Sequence, residues 1–127
     1  MKKVSVLIVD DSSVMRKIVE RSLRLAGIEI DKVLEADSGA AALSVIQQND
    51  PDMIFSDINM PTMDGIEFIR QLQGVESAKG VPVVMITTEG GQTRVMEALA
   101  LGAQGYIRKP FTPEQVREQV VPLLEGK

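Results

Sequence analysis

Five polar side chains follow short apolar runs of the sequence, at the points where buried strands would end. Asp10 and Asp11 follow one run, Asp57 ends a second, Thr87 ends a third and Lys109 follows a fourth. Because the carboxyl ends of parallel strands meet at one edge of a sheet, these side chains should converge. Three carboxylates there would repel one another, and a hard divalent cation with oxygen ligands, such as Mg²⁺, would relieve that repulsion.

The remaining two side chains extend the chemistry of such a site. A lysine and a hydroxyl opposite the metal, here Lys109 and Thr87, would trap a tetrahedral anion. The combination indicates phosphoryl transfer to a carboxylate, with Asp57 as the nucleophile. Taken singly, each residue has an ordinary structural explanation, such as a helix cap, a strand residue or a surface charge. No structural requirement places all five residues at successive strand ends, and their combination therefore favours a functional site.

Five apolar runs alternate with segments of helical periodicity. The strands are predicted at Val4–Val9, Ile30–Ala36, Met53–Asp57, 81–87 and 104–108. Charged residues interrupt the second run, which suits an edge strand. Five strand–helix units in succession predict an α/β fold, with one parallel sheet covered by helices on both faces and a single domain over residues 1–127. The pattern does not give the strand order by itself.

Helix limits are indicated by capping residues and prolines. Ser12 or Ser13 is predicted to cap the first helix, and Thr112 to cap the last, which would begin at Pro113. Pro122 lies inside the apolar pattern of that last helix and is predicted to kink it or end it early.

The first helix carries apolar residues at helical spacing, and they are predicted to form its buried stripe. Its charged residues, Arg16 among them, are predicted to cover the opposite face. The stripe comprises Val14, Met15, Ile18, Val19, Leu25 and Ala26.

Composition excludes several functions. The chain has 127 residues and a net charge of −4, and no basic cluster that would suit nucleic acid. It has no Cys and no His, which removes thiolate metal sites and every catalytic triad built on imidazole. No run reaches membrane-spanning length and no signal-peptide pattern is present, so we expect a cytoplasmic protein without a membrane partner.

Several short motifs occur in a fixed order along the chain. They are Val9-Asp10-Asp11-Ser12, the segment from Asp57-Ile58-Asn59 through Met60-Pro61 to Asp64-Gly65, Thr87, Gly102-Ala103-Gln104-Gly105-Tyr106 and Lys109-Pro110-Phe111. With this set the sequence resembles response-regulator receiver domains of the single-domain chemotaxis type, over essentially its whole length. The resemblance implies a doubly wound, flavodoxin-like sheet of strand order 2-1-3-4-5.

The resemblance also implies a role for each site residue. Asp57 would be the phospho-acceptor. Asp11 and Asp57 would ligate Mg²⁺ directly, together with the backbone carbonyl of Asn59, and Asp10 would act through water. Lys109 would pair with a phosphoryl oxygen and form a cis peptide bond with the proline that follows it.

A switch and its partners are implied in the same way. Thr87 would hydrogen-bond the phosphoryl group, and Tyr106 would rotate inward behind it, changing the surface of the fourth helix, fifth strand and fifth helix. A target protein would bind that surface. The donor would be a phosphohistidine of a sensor histidine kinase or phosphotransfer protein. The protein would be a monomer that catalyses its own phosphorylation and dephosphorylation, yet a regulator more than an enzyme.

Three other interpretations compete with this one. A flavodoxin-like FMN-binding electron carrier needs an anion-friendly loop after the first strand, where this chain has Asp10-Asp11, and aromatic residues to stack the flavin. An aspartate-nucleophile phosphatase needs an acid–base Asp two residues after the nucleophile, where this chain has Asn59. A receiver that binds proteins without phosphorylation would not need the intact set of site residues.

Overall fold

The computed structural model describes residues 3–58, 63, 65–87 and 92–125. Strands and helices alternate through these ranges. The strands are β1 (Val4–Val9), β2 (Ile30–Ala36), β3 (Met53–Asp57), β4 (Val83–Thr87) and β5 (Gly105–Arg108). The helices are α1 (Ser13–Leu25), α2 (Gly39–Gln48), α3 (Gly65–Leu72), α4 (Gln92–Ala100) and α5 (Pro113–Glu125), with a short 3₁₀ helix at Glu76–Ala78.

The five strands form one parallel sheet in the order β2-β1-β3-β4-β5. This confirms the α/β class, the strand order and the edge position of β2. Strands β3 and β4 are buried at every residue, as expected when helices cover both faces of a parallel sheet.

Two apolar clusters fill the space on the two faces of this sheet. Successive residues of one strand point to opposite faces, so Leu7 and Ile54 join one cluster whereas Ile8 and Phe55 join the other. The first cluster includes buried residues of α2, α3 and α4, and the second includes buried residues of α1 and α5. The sheet therefore lies between two apolar layers, one on each of its faces.

Helix α1 does not bury the whole of its predicted stripe. Val19 and Ala26 are buried together with Leu23, whereas Val14 is 68% exposed and Leu25 is 64% exposed. Apolar residues occur on two adjacent faces of this helix, and its packing against the sheet and α5 covers only one of them. Periodicity alone could not decide between those faces.

The predicted helix caps are present. The Ser12 hydroxyl accepts a hydrogen bond from the Met15 amide, at 3.2 Å. At the start of α5, the Thr112 hydroxyl accepts from the Gln115 amide at 3.2 Å, and the Gln115 side chain accepts from the Thr112 amide at 2.9 Å. This reciprocal pair is a capping box.

The expectation that Pro122 ends the last helix early is wrong, because α5 continues through it to Glu125. Pro122 is exposed and lies in the last turn of the helix, where its missing amide removes a single hydrogen bond and only three helical residues follow it. Strand β4 begins at Val83, two residues after the predicted start at residue 81. Pro82 has no amide hydrogen to donate, so the register pairing with β3 starts after it, at Val83.

None of the helices in the described part of the chain combines the length and the apolar character needed to cross a membrane.

Candidate functional site

Three carboxylates converge at the carboxyl edge of the sheet. Asp10 and Asp11 follow β1, and Asp57 ends the neighbouring β3. One oxygen from each lies within 4.8 Å of the others. Asp10 is 4% exposed and Asp57 is 8% exposed, whereas Asp11 is open to solvent. Two of the three carboxylates are therefore buried in the site, and the third is exposed at its opening to solvent.

Lys109 reaches the same place from β5. Its Nζ atom lies 3.4 Å from Oδ2 of Asp10 and 3.5 Å from Oδ2 of Asp57. Only 12% of the lysine side chain is exposed, and a buried charge of this kind is stable only when it is paired. The Lys109 amide donates to the Thr87 carbonyl at 2.8 Å, which fixes the lysine to the end of β4. The peptide bond between Lys109 and Pro110 is cis, as the resemblance implies.

Thr87 and Tyr106 lie on neighbouring strands. Thr87 is completely buried at the end of β4, and Tyr106 on β5 is 43% exposed. Tyr106 pairs in register with Met85, which lies two residues before Thr87. Side chains two apart on a strand share a face, and so do side chains of register partners. Thr87 and Tyr106 therefore belong to the same face of the sheet, where Thr87 is buried and Tyr106 is exposed.

Asn59, whose carbonyl is the fourth predicted metal ligand, lies outside the described residues. The structure does show how the chain turns back towards Asp57 after that segment. The Gly65 amide donates to the Ile58 carbonyl at 2.8 Å. A Cβ atom on Gly65 would lie 2.3 Å from the Asp57 carbonyl oxygen and 2.8 Å from Cα of Ile58. Only glycine lets α3 begin this close to the end of β3.

Every polar group of Asp10 has a partner. Its carboxylate accepts from the Ser12 amide through Oδ1, at 2.9 Å, and faces Lys109 through Oδ2. Its own amide donates to the Ala36 carbonyl on β2 at 3.0 Å. Its carbonyl accepts from Nη1 of Arg16 at 2.6 Å. The β1–α1 junction is thus fixed both to the sheet and to α1.

Arg16 and Glu35 are parts of this arrangement that the sequence analysis did not identify. Arg16 was expected on the solvent face of α1, but only 16% of its side chain is exposed and its Nε atom lies 2.9 Å from Oε1 of Glu35. Nothing in the helical pattern distinguishes it from the other basic residues of α1. The pairing of β1 with β2 brings Glu35 within its reach, and that pairing is a tertiary feature.

The donor set fits a hard divalent cation. Asp10, Asp11 and Asp57 offer only carboxylate oxygens, which are the protein ligands that Mg²⁺ prefers. Two of them are buried and close enough to repel each other, and Lys109 compensates that repulsion in part.

The structure thus combines a doubly wound, flavodoxin-like parallel sheet with an acidic, cation-compatible cluster and a buried lysine at the carboxyl edge of that sheet. A sequence model described as the response regulator receiver domain matches residues 6–121. The chain therefore belongs to the response-regulator receiver family.

Curated relatives and solved structures agree with this assignment. The chain is 40% identical over 119 residues to a chemotaxis protein CheY homologue of Campylobacter jejuni, covering 93% of this chain and 90% of that protein. It is 40% identical over 124 residues to chemotaxis protein CheY-3 of Vibrio cholerae, covering 98% and 94%. The crystal structure of Vibrio cholerae CheY4 superposes with a TM-score of 0.84 at 37% identity, covering 96% and 99%.

The family defines the general function. The chain is a receiver of the CheY type, a signalling switch and not a classical enzyme. Such a domain works between a sensor kinase or phosphotransfer partner and a downstream target. The assignment favours the receiver over the flavin carrier among the interpretations drawn from the sequence.

Proposed function

We propose that Asp57 accepts a phosphoryl group from a phosphohistidine of a sensor kinase or phosphotransfer protein. The observation that carries this proposal is the convergence of three carboxylate oxygens within 4.8 Å, with Lys109 Nζ 3.5 Å from Asp57. In this proposal Asp10, Asp11 and Asp57 hold Mg²⁺, together with the carbonyl of Asn59. The bound ion would screen the charge that the carboxylates and the phosphoryl oxygens bring together.

The protein's own residues have distinct tasks in the transfer. A carboxylate oxygen of Asp57 forms a bond to phosphorus as the bond from phosphorus to the donor nitrogen breaks, and the electron pair of that bond remains on the imidazole. The Lys109 ammonium donates a hydrogen bond to a phosphoryl oxygen and compensates its charge. The same site hydrolyses the acyl phosphate when water replaces the donor, which returns Asp57 to its free form.

The switch follows from the new charge. The Thr87 hydroxyl donates to the phosphoryl group, and Tyr106 rotates inward behind it. This changes the face formed by α4, β5 and α5, where Met96 is 65% exposed, Leu99 is 41% exposed and Tyr106 is 43% exposed. Exposed apolar side chains of this size suit a protein partner, and we propose that the downstream target binds here. In this proposal the protein acts as a cytoplasmic monomer.

Intact mass spectrometry after incubation with phosphoramidate tests the acceptor. We expect a Mg²⁺-dependent gain of one phosphoryl group in the wild type and none in Asp57→Asn. Asp50→Asn is the matched control, because Asp50 is an exposed carboxylate that precedes the same strand and lies outside the acidic cluster. Equal labelling of Asp57→Asn and the wild type, with both folded by circular dichroism, would show that Asp57 is not the acceptor.

A further inference from the structure

The peptide unit between Asp10 and Asp11 joins two of the three carboxylates. Its carbonyl accepts a hydrogen bond from Nη1 of Arg16 at 2.6 Å. A peptide unit is planar and rigid, so fixing the direction of this carbonyl also fixes the direction in which the backbone enters Asp11. One contact from α1 therefore bears on the placement of both carboxylates.

Arg16 is itself held firmly. Its Nε atom donates to Oε1 of Glu35 on β2 at 2.9 Å, and its side chain is 16% exposed. The guanidinium group is planar and presents its donors in a fixed arrangement, so the bond to Glu35 also orients the bond to Asp10. The Asp10 amide is bonded to Ala36, the residue after Glu35. Both ends of the Asp10 backbone are thus anchored to the same stretch of β2.

We propose that Arg16 is a positioning residue for the cation site, which sets the Asp10–Asp11 peptide so that both carboxylates converge on Asp57 before the cation binds. The inference rests on the proposed function, since it concerns the Mg²⁺ that function requires. Arg16 makes no described bond to the carboxylate oxygens of Asp10, Asp11 or Asp57. It acts on the site through the backbone carbonyl of Asp10.

Charge alone gives the opposite expectation. Arg16 is a cation beside a site that binds a cation, so its removal would strengthen Mg²⁺ binding if only the electrostatic repulsion changed. Its removal weakens binding if its hydrogen bond sets the ligand geometry. The direction of the change therefore separates the two effects.

Isothermal titration calorimetry with Mg²⁺ on the full chain tests this inference, using the wild type, Arg16→Ala, Arg16→Lys and Lys17→Ala. Lys17 is the matched control. It is a neighbouring cation on α1, 3.8 Å from Oε2 of the same glutamate, and its side chain is 70% exposed. We expect Arg16→Ala to weaken Mg²⁺ binding on the order of 10-fold, the scale of losing an outer partner of a metal ligand. Lys17→Ala should leave the affinity unchanged or slightly tighter.

Arg16→Lys keeps the positive charge but replaces the planar guanidinium group, which bonds Glu35 and Asp10 through two nitrogens, with a single ammonium group. We expect its Mg²⁺ affinity to lie between those of Arg16→Ala and the wild type. This variant also decides the question should Arg16→Ala fail to fold, as judged by circular dichroism without metal. Affinities of both Arg16 variants at or above that of Lys17→Ala would overturn the inference, and so would lowered stability with unchanged affinity. Absence of Mg²⁺ binding in the wild type would instead refute the metal site of the proposed function, and the inference with it.

Discussion

Replacing Gly65 with alanine tests how closely α3 is fitted against the end of β3. The new methyl group would lie 2.3 Å from the Asp57 carbonyl oxygen, 2.8 Å from Cα of Ile58 and 2.8 Å from Cε of Met85. The methionine end can rotate away, but the other two atoms are backbone. Relief requires α3 or the end of β3 to move, and Asp57, the proposed phospho-acceptor, lies at that strand end.

The expected change in the free energy of unfolding follows from two opposing effects. Overpacking a buried site costs about 1–3 kcal/mol, and backbone contacts place this case in the upper half of that range. Alanine is favoured over glycine within a helix by up to about 1 kcal/mol, which offsets part of the cost. We expect a net destabilisation of about 2 kcal/mol, equivalent to a fall in Tm of about 7 °C for a chain of this length. Phosphoryl uptake at Asp57 should also slow.

Urea denaturation and thermal melting of Gly65→Ala, followed by circular dichroism, measure this cost. Gly74→Ala is the control, because a Cβ atom there would meet the Gln71 carbonyl oxygen at 3.6 Å, an ordinary contact. It should change stability by less than about 1 kcal/mol. If Gly65→Ala were as stable as the wild type and accepted phosphoryl groups at the same rate, the close approach would not constrain the site.

Two further substitutions test the lysine and the last helix. Lys109→Ala should not weaken Mg²⁺ binding, since Lys109 is not among the proposed ligands, but it should impair phosphorylation by phosphoramidate or the structural switch that follows phosphorylation. Normal labelling, together with a normal change in the α4–β5–α5 face by hydrogen exchange, would refute its role. Pro122→Ala should stabilise the protein by about 1–2 kcal/mol, because an exposed proline interrupts the bonding of α5 without burying surface. A lower urea midpoint for that variant would contradict this reasoning.

Most of the fold could be predicted because the strands are short apolar runs with clear limits. The limits predicted for β1, β2 and β3 agree with the structure. Errors arose where one residue decides a boundary, as at Pro82, and where two helix faces are both apolar, as on α1. The strand order came from the resemblance, because alternating strands and helices are compatible with several orders.

The carboxylates and Lys109 could be located from the sequence because parallel topology brings strand ends together. The distances between these side chains could not be predicted, since they depend on the twist of the sheet and on the register of β4 with β5, in which Thr87 pairs with Arg108. The prediction that Arg16 lies on the solvent face of α1 was wrong for a related reason. Its hydrogen bonds to Glu35 and to the Asp10 carbonyl connect α1 with β2 and with the end of β1. No local sequence pattern predicts a contact among three separate elements.

The exposure of Tyr106 has a practical consequence. It is the only tyrosine in a chain that has no tryptophan, so absorbance and emission near the tyrosine bands arise from this one ring. Tyr106 is 43% exposed and lies on the face of the sheet that also carries Thr87. The unmodified protein therefore contains its own optical reporter at the position proposed to move. Its spectrum can be followed in real time without attaching a dye that would cover the very surface under study.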